Sequence, residues 1–239
     1  MPNSGYDVIA NEYYEDGHIT CRNFDLATRC ALSERPFESP RDGLVLELGA
    51  GRGRASEFLG VTPTRLVQVD NSEAMLNLDH RPPCLLRVLA DACKIPLASG
   101  QFAAVVGFLV DPFLGLQSLK EAHRMLRPGG VILLTTPTHE WGAVLRERLG
   151  LDLMTTRFRI LRSKSESTIT LPSLLHPREK LREMLERAGF IDIEIEDRSL
   201  PADTNPVSQD ISSVCDSKKV ALERLPVIHV IRARANTQP

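Results

Sequence analysis

The chain has 239 residues, 42% hydrophobic and 25% charged, which suits one sizeable globular domain and excludes a disordered, collagen-like or fibrous chain. Its 29 basic and 31 acidic residues leave a formal charge of −2, so no general positive field gathers polyanions, and a nucleic-acid partner would need a local basic patch. No apolar run nears the roughly 20 residues that span a bilayer, residues 1–15 lack the pattern of a secretory leader, and the five cysteines form no CxxC pair. The expectation is a cytoplasmic protein with reduced thiols and no bound metal.

Residues 44–48 form a short apolar run broken by Gly49-Ala50-Gly51-Arg52-Gly53, and residues 65–70 form a second run ending in Asp70. Both read as strands. Residues 54–59 between them are helix-compatible, which gives the strand, turn, helix, strand unit of a parallel sheet. Residues 72–78 read as a helix capped by Ser72, 84–90 as a third strand and 102–108 as a fourth. From Leu116, the residues Leu119, Ala122 and Leu126 recur at helical spacing, and Arg127-Pro128-Gly129-Gly130 stops that helix before a fifth strand at 131–136.

Residues 141–149 look helical, while 152–173 is polar and basic-leaning and takes no clear pattern. Within 179–188, Leu181, Met184, Leu185 and Ala188 share one helical face, with Gly189 just beyond. Ile191, Ile193 and Ile195 then alternate with acidic residues as a strand, residues 203–219 read as loop or short helix, and 226–232 as a last strand. The expected fold is a doubly wound α/β protein with a mostly parallel seven-stranded sheet and helices on both faces. Residues 1–43 are expected to form an N-terminal helical lid, residues 44–239 the Rossmann-like domain, and 141–178 an insertion that shapes a substrate pocket.

The sharpest chemical signal is Glu47-x-Gly49-x-Gly51-x-Gly53 at a strand end. Glycines there let backbone approach a ligand closely. A dinucleotide fingerprint would need a third glycine where Arg54 stands, and the Glu47 carboxylate is a poor neighbour for pyrophosphate but suits an ammonium group. Asp70 closes the second strand, where a carboxylate can accept from a ribose diol, and Asp91 follows the third. Ligands of such sheets bind along that edge.

At these residues the chain resembles the class I S-adenosylmethionine-dependent methyltransferases, and within them the type 11 small-molecule group. Residues 45–53 are similar to the family's first motif, 67–76 to its second, Asp91-Ala92 with Ile95-Pro96-Leu97 to the adenine-reading segment, and 119–134 to the helix and turn before the fifth strand. The resemblance implies an S-adenosylmethionine site in which Glu47, Gly49, Ala50 and Gly51 line the methionine end. It implies that Asp70 holds the ribose hydroxyls, that Met75 or Asn71 flanks adenine, that Asp91 accepts from its amino group, and that Ala92 and Phe108 also meet the cofactor. Tyr6-Asp7-x-x-Ala10-x-x-Tyr13 looks like the family's aromatic lid, in which Tyr13 approaches the cofactor; the alternative is that Tyr13 and Tyr14 only anchor a helix.

The implied reaction is methyl transfer to the O, N or C atom of a small acceptor, with no membrane, and the low aromatic content and absent basic stripe argue against a nucleic-acid partner. By position His18, Asp111 and His139 could serve as base, and His139 and His18 are the expected catalytic residues, imidazole titrating near neutrality. Asp111-Pro112 reads more simply as the opening of the next helix, and His176 as a cap. Arg157, Arg159, Arg162 and Lys164 leave open an acidic acceptor or an RNA. The competing function is a catalytically silent S-adenosylmethionine-binding subunit; an NAD-dependent reductase comes third.

Overall fold

The computed structural model describes residues 5–38, 40, 42–78, 82–161 and 167–236. Two helices open the chain, α1 (Gly5–Ile9) and α2 (Ile19–Glu34). In α2 the buried Phe24, Ala27, Ala31 and Leu32 repeat at helical spacing, so one stripe faces the sheet. The expected lid of residues 1–43 is therefore two structures: α2 belongs to the core layer, and α1 with the turn after it lies over the sheet's edge.

The alternation that follows is β1 (Leu44–Leu48), α3 (Arg54–Leu59), β2 (Leu66–Asp70), α4 (Glu73–Leu76), β3 (Leu86–Leu89) and β4 (Phe102–Gly107). Next come α5 (Leu116–Met125), β5 (Leu126–Pro137), α6 (His139–Leu149), β6 (Thr155–Ile160), β7 (Ser167–Pro172) and α7 (Arg178–Arg187), then β8 (Phe190–Arg198), α8 (Gln209–Lys218) and β9 (Ile228–Ala235). Seven strands form one sheet in the order β3-β2-β1-β4-β5-β9-β8. The first five run parallel, and β9 is antiparallel to both β5 and β8. The order reverses between β1 and β4, which opens a crevice at their carboxyl ends.

Because successive strand residues point to opposite faces, β1 feeds two cores. Leu46 and Leu48 pack with Val105, Leu119 and Leu181 beneath α5 and α7, while Val45 packs with Ala104, Val106, Phe24 and Trp141 beneath α2 and α6. The stop at Arg127-Pro128-Gly129-Gly130 falls inside β5: pairing passes from Phe102 with Leu126 to Ala104 with Val131, and Gly129 takes a φ of 71°. The extra residues bulge out and the ladder resumes.

Residues 152–173, which carry no clear pattern in sequence, contain the hairpin of β6 and β7 in a sheet of its own. Thr156 and Phe158 alternate with Arg157 and Arg159, so a period of two is present, masked by its charges. Phe158 and Leu171 meet Ile9 in a small third cluster with Tyr6 and Tyr13 packed against it. The hairpin and the N-terminal segment thus form one cover. Arg162 and Lys164 lie outside the described residues.

Candidate functional site

The glycine loop after β1 is shaped by left-handed backbone at Gly49, Gly51 and Gly53, with φ of 58°, 47° and 92°. A side chain is excluded for a second reason. A Cβ at Gly51 would stand 2.0 Å from the Tyr14 hydroxyl, and one at Gly49 2.6 Å from the Phe113 ring. Asp70, at the end of β2, holds this loop: Oδ2 accepts from the Gly51 amide at 2.8 Å and Oδ1 from the Ser72 amide at 2.9 Å. Ser72 in turn caps α4 by accepting from the Met75 amide at 3.1 Å. Asp7 of α1 accepts from the Ser72 hydroxyl at 2.6 Å and from the Ala74 amide at 3.1 Å, which pins the N-terminal cover to the rim.

Tyr13, Glu47, Gly49, Ala50, Gly51, Asp70, Asn71, Met75, Asp91, Ala92 and Phe108 all line one cleft of about 1060 Å³. The cleft is concave and combines apolar walls with a few convergent polar groups, as small-molecule sites do. Glu47 differs in kind from the expectation of an ammonium partner. It is 1% exposed, accepting from the Ala55 amide at 2.7 Å and the Gln68 side-chain amide at 2.8 Å. That carboxylate ties β1 to β2 and to the start of α3.

The charge that sequence reasoning missed is positive. Among the described residues, Arg22, Arg29, Arg52 and Arg54 share two carboxylates, Asp25 and Glu57. The guanidiniums of Arg52, Arg54 and Arg22 sit 4.7, 5.1 and 5.8 Å from the centre of the Tyr14 ring, whose hydroxyl accepts from the Arg52 amide at 3.0 Å. Burial pushes the Tyr14 hydroxyl up to about 12, so it stays neutral. The signal was the repeat Gly51-Arg52-Gly53-Arg54, noted only as a misfit to the dinucleotide pattern. The cleft therefore offers acidic acceptors at the ends of β2 and β3, surplus guanidinium charge at the glycine loop, and tyrosine faces between. A molecule with a hydroxylated, amino-bearing nucleoside at one end, a carboxylate at the other and a sulfonium between fits that set.

A second cavity of about 1610 Å³ opens beneath the hairpin and shares Tyr6, Tyr13, Cys21 and Leu109 with the first. His18 lines it, 8% exposed, its ring 4.2 Å from that of Phe158. Burial lowers the His18 pKa more than nearby Glu12 raises it, so the imidazole is neutral near pH 7. His139 lines neither cavity. At 100° per residue, Trp141, Leu145 and Leu149 share the inner face of α6, and His139, two residues before Trp141, turns away. His176 caps nothing: Pro177 holds the cap position of α7, and His176 Nε2 donates to the Leu114 carbonyl at 2.8 Å. Asp111, read in sequence as a helix opener, is 8% exposed in the second cavity's wall.

The sheet order, the crevice at its switch point and the acidic strand ends define a nucleoside-binding α/β protein. Residues 46–134 match a family model described as a methyltransferase domain. A probable S-adenosylmethionine-dependent methyltransferase from Mycolicibacterium smegmatis is 31% identical over 179 residues, 72% of this chain and 56% of that one. A demethylmenaquinone methyltransferase from Beutenbergia cavernae is 36% identical over 136 residues, 54% of this chain and 55% of that one. The matches thus span about half the length of these relatives. An S-adenosylmethionine-dependent methyltransferase structure from Thermotoga maritima superposes with a TM-score of 0.63 at 17% identity, covering 98% of each chain, a likeness of fold. The chain belongs to the class I S-adenosylmethionine-dependent methyltransferases, and its cofactor is S-adenosylmethionine. No described helix is long and apolar enough to cross a membrane, and no described His, Cys, Asp and Glu residues cluster as metal ligands.

Proposed function

We propose that the protein moves a methyl group from S-adenosylmethionine to a small organic acceptor. The observation that carries this reading is the join between the two cavities: a cleft with a nucleoside-type donor set opens, past Tyr6 and Tyr13, into a separate chamber under the hairpin. When bound, the cofactor supplies an activated methyl on a positively charged sulfur. Asp70 accepts from the ribose hydroxyls. Asp91 accepts from the adenine amino group, and buried Met75 packs against the ring. The arginines around Tyr14 meet the carboxylate end, and Tyr13, stacked 5.4 Å from Phe158, stands between the chambers.

The protein's task is then to orient the acceptor and exclude water. Orientation of this kind contributes on the order of 7–11 kcal/mol in well-aligned intramolecular reactions, more than the ~10²–10⁴-fold of one general base. A small acceptor agrees with a chamber roofed in part by the N-terminal segment and the hairpin, and with a net charge of −2. Calorimetric titration with S-adenosylhomocysteine tests the site, and NAD competing it away would favour the reductase instead. Incubation with methyl-labelled cofactor and a metabolite extract tests the reaction. Tight binding with no label transferred to any metabolite would favour the silent subunit.

A further inference from the structure

One side of the second cavity is apolar: Phe24 and Trp141, with ring centres 5.4 Å apart, Leu145 and Leu149 along α6, and Phe158 from the hairpin. Among the buried polar residues of its lining, His18 and Asp111 are the two that titrate in the physiological range of a proton acceptor. His18 Nε2 makes no hydrogen bond among the described residues, its neighbour Glu12 Oε1 standing 4.0 Å away. Asp111, in the loop after β4, is held by a built support. The Ser173 hydroxyl donates to Asp111 Oδ2 at 2.5 Å, Arg146 Nη2 donates to the Ser173 Oγ at 2.6 Å, and Arg146 Nε donates to the Thr155 carbonyl at 2.6 Å. The guanidinium stands one hydroxyl behind the carboxylate, so it orients Asp111 without forming a direct ion pair with it.

The groups facing Asp111 are otherwise poor proton acceptors. Tyr6, Tyr13 and Cys21 reach towards it from the N-terminal segment, and burial above all, with the Asp111 charge in addition, keeps each of them protonated. Burial pushes the Asp111 carboxyl up to about 6, against the lowering pull of Ser173 and Arg146. Asp210 of α8 and Arg157 and Arg159 of β6 also line the cavity.

We infer that this cavity takes the methyl acceptor, that the acceptor is an uncharged, largely apolar molecule bearing a hydroxyl or amine, and that Asp111 receives the proton it loses. The assignment of a proton to Asp111 rests on the methyl-transfer reading. As the new O–C or N–C bond forms, the methyl–sulfur bond breaks with its electron pair left on sulfur. The acceptor's proton passes to the carboxylate. A neutral acid, a thioether and the methylated product result. His18 supplies the second polar contact, and at the Asp111 carboxylate itself an anionic group is opposed by like charge.

The probe for the test is 4-nitrophenol, with 4-nitrobenzoate as an anion of similar size. Trp141 is the chain's single tryptophan and lines the cavity, so its fluorescence reports occupancy. The phenol is expected to quench it saturably. Bound to the wild type, the phenol's visible absorbance should show an ionisation constant lowered at least roughly tenfold, because a neighbouring carboxylate disfavours the phenolate; Asp111→Asn should remove that shift. The benzoate should bind the wild type more weakly, gaining as pH falls below about 6 and Asp111 takes a proton, a readout that needs no variant. Unquenched Trp141, an equal ionisation shift in Asp111→Asn, or benzoate binding that ignores this pH range would each overturn the inference. S-adenosylhomocysteine calorimetry on the same samples separates the failures: without that binding the methyl-transfer reading falls, while the phenol result judges the cavity independently.

Discussion

The two cavities share a wall but are built differently. The first cleft, the proposed cofactor site, stands on the carboxyl ends of β1 to β4, and its polar groups lie beside backbone they also organise: Asp70 holds the Gly51 and Ser72 amides, and Glu47 holds Ala55. The second cavity is closed by α1, α6 and the hairpin, and Asp111 answers to side chains 35 and 62 residues away in Arg146 and Ser173. A site made of backbone-bound carboxylates doubles as part of the fold's frame. A carboxylate held chiefly by distant side chains is free to be placed for chemistry, at a cost in stability.

The largest expected effect breaks the frame. Gly51→Val puts a β-branched residue at a φ of 47° with a Cβ 2.0 Å from the Tyr14 hydroxyl, and S-adenosylhomocysteine affinity should fall on the order of 100-fold or more. Calorimetry reads the loss, and wild-type affinity would mean the loop does not approach the ligand.

Asp111→Asn is expected to go the other way in stability. The fold raises this carboxyl from its ordinary 3.8 to about 6, so the native state binds more protons than the unfolded one between those values and loses stability as pH rises through that window. Removing the charge should therefore stabilise the protein above about pH 6 by up to about 3 kcal/mol, and the gain should vanish towards pH 4. Thermal melts across pH check the sign. A destabilised variant at pH 7.5 would show that Ser173 and Arg146 need the negative charge.

Asp70→Ala should weaken S-adenosylhomocysteine binding by about 1–3 kcal/mol and lower the melting temperature as well, since the same oxygens hold the loop. The smallest effect sharpens the contrast between the histidines. His139→Ala, outside both cavities, should change stability and cofactor binding by less than about 0.5 kcal/mol, whereas His18→Ala should alter probe binding in the second cavity. Equal effects in the two variants would remove the distinction.

How much was legible follows the same divide. The bounds of β1 and α3 could be read directly because Leu44–Leu48 is a short apolar run ended by glycines, and Ser72 announced α4 by its capping chemistry. That Asp70, Asp91 and the glycine loop share one cleft was legible because a parallel sheet brings consecutive strand ends to one edge, so motifs in chain order become neighbours in space. The hairpin was not, since Arg157 and Arg159 on its exposed face broke the apolar signal that marks a strand. His139 was misplaced because position after a strand does not tell which way a helix turns its first residue.

By itself, then, the sequence determined the doubly wound sheet and the ligand edge, since both depend on local periodicity and on glycines and carboxylates within a few residues of a strand end. Only the tertiary structure decided that Glu47 braces the loop, that arginines gather at Tyr14, and that Asp111 lies against Ser173 and Arg146. Those are contacts between side chains far apart in the chain. Their geometry depends on how layers pack, which no local pattern of residues encodes.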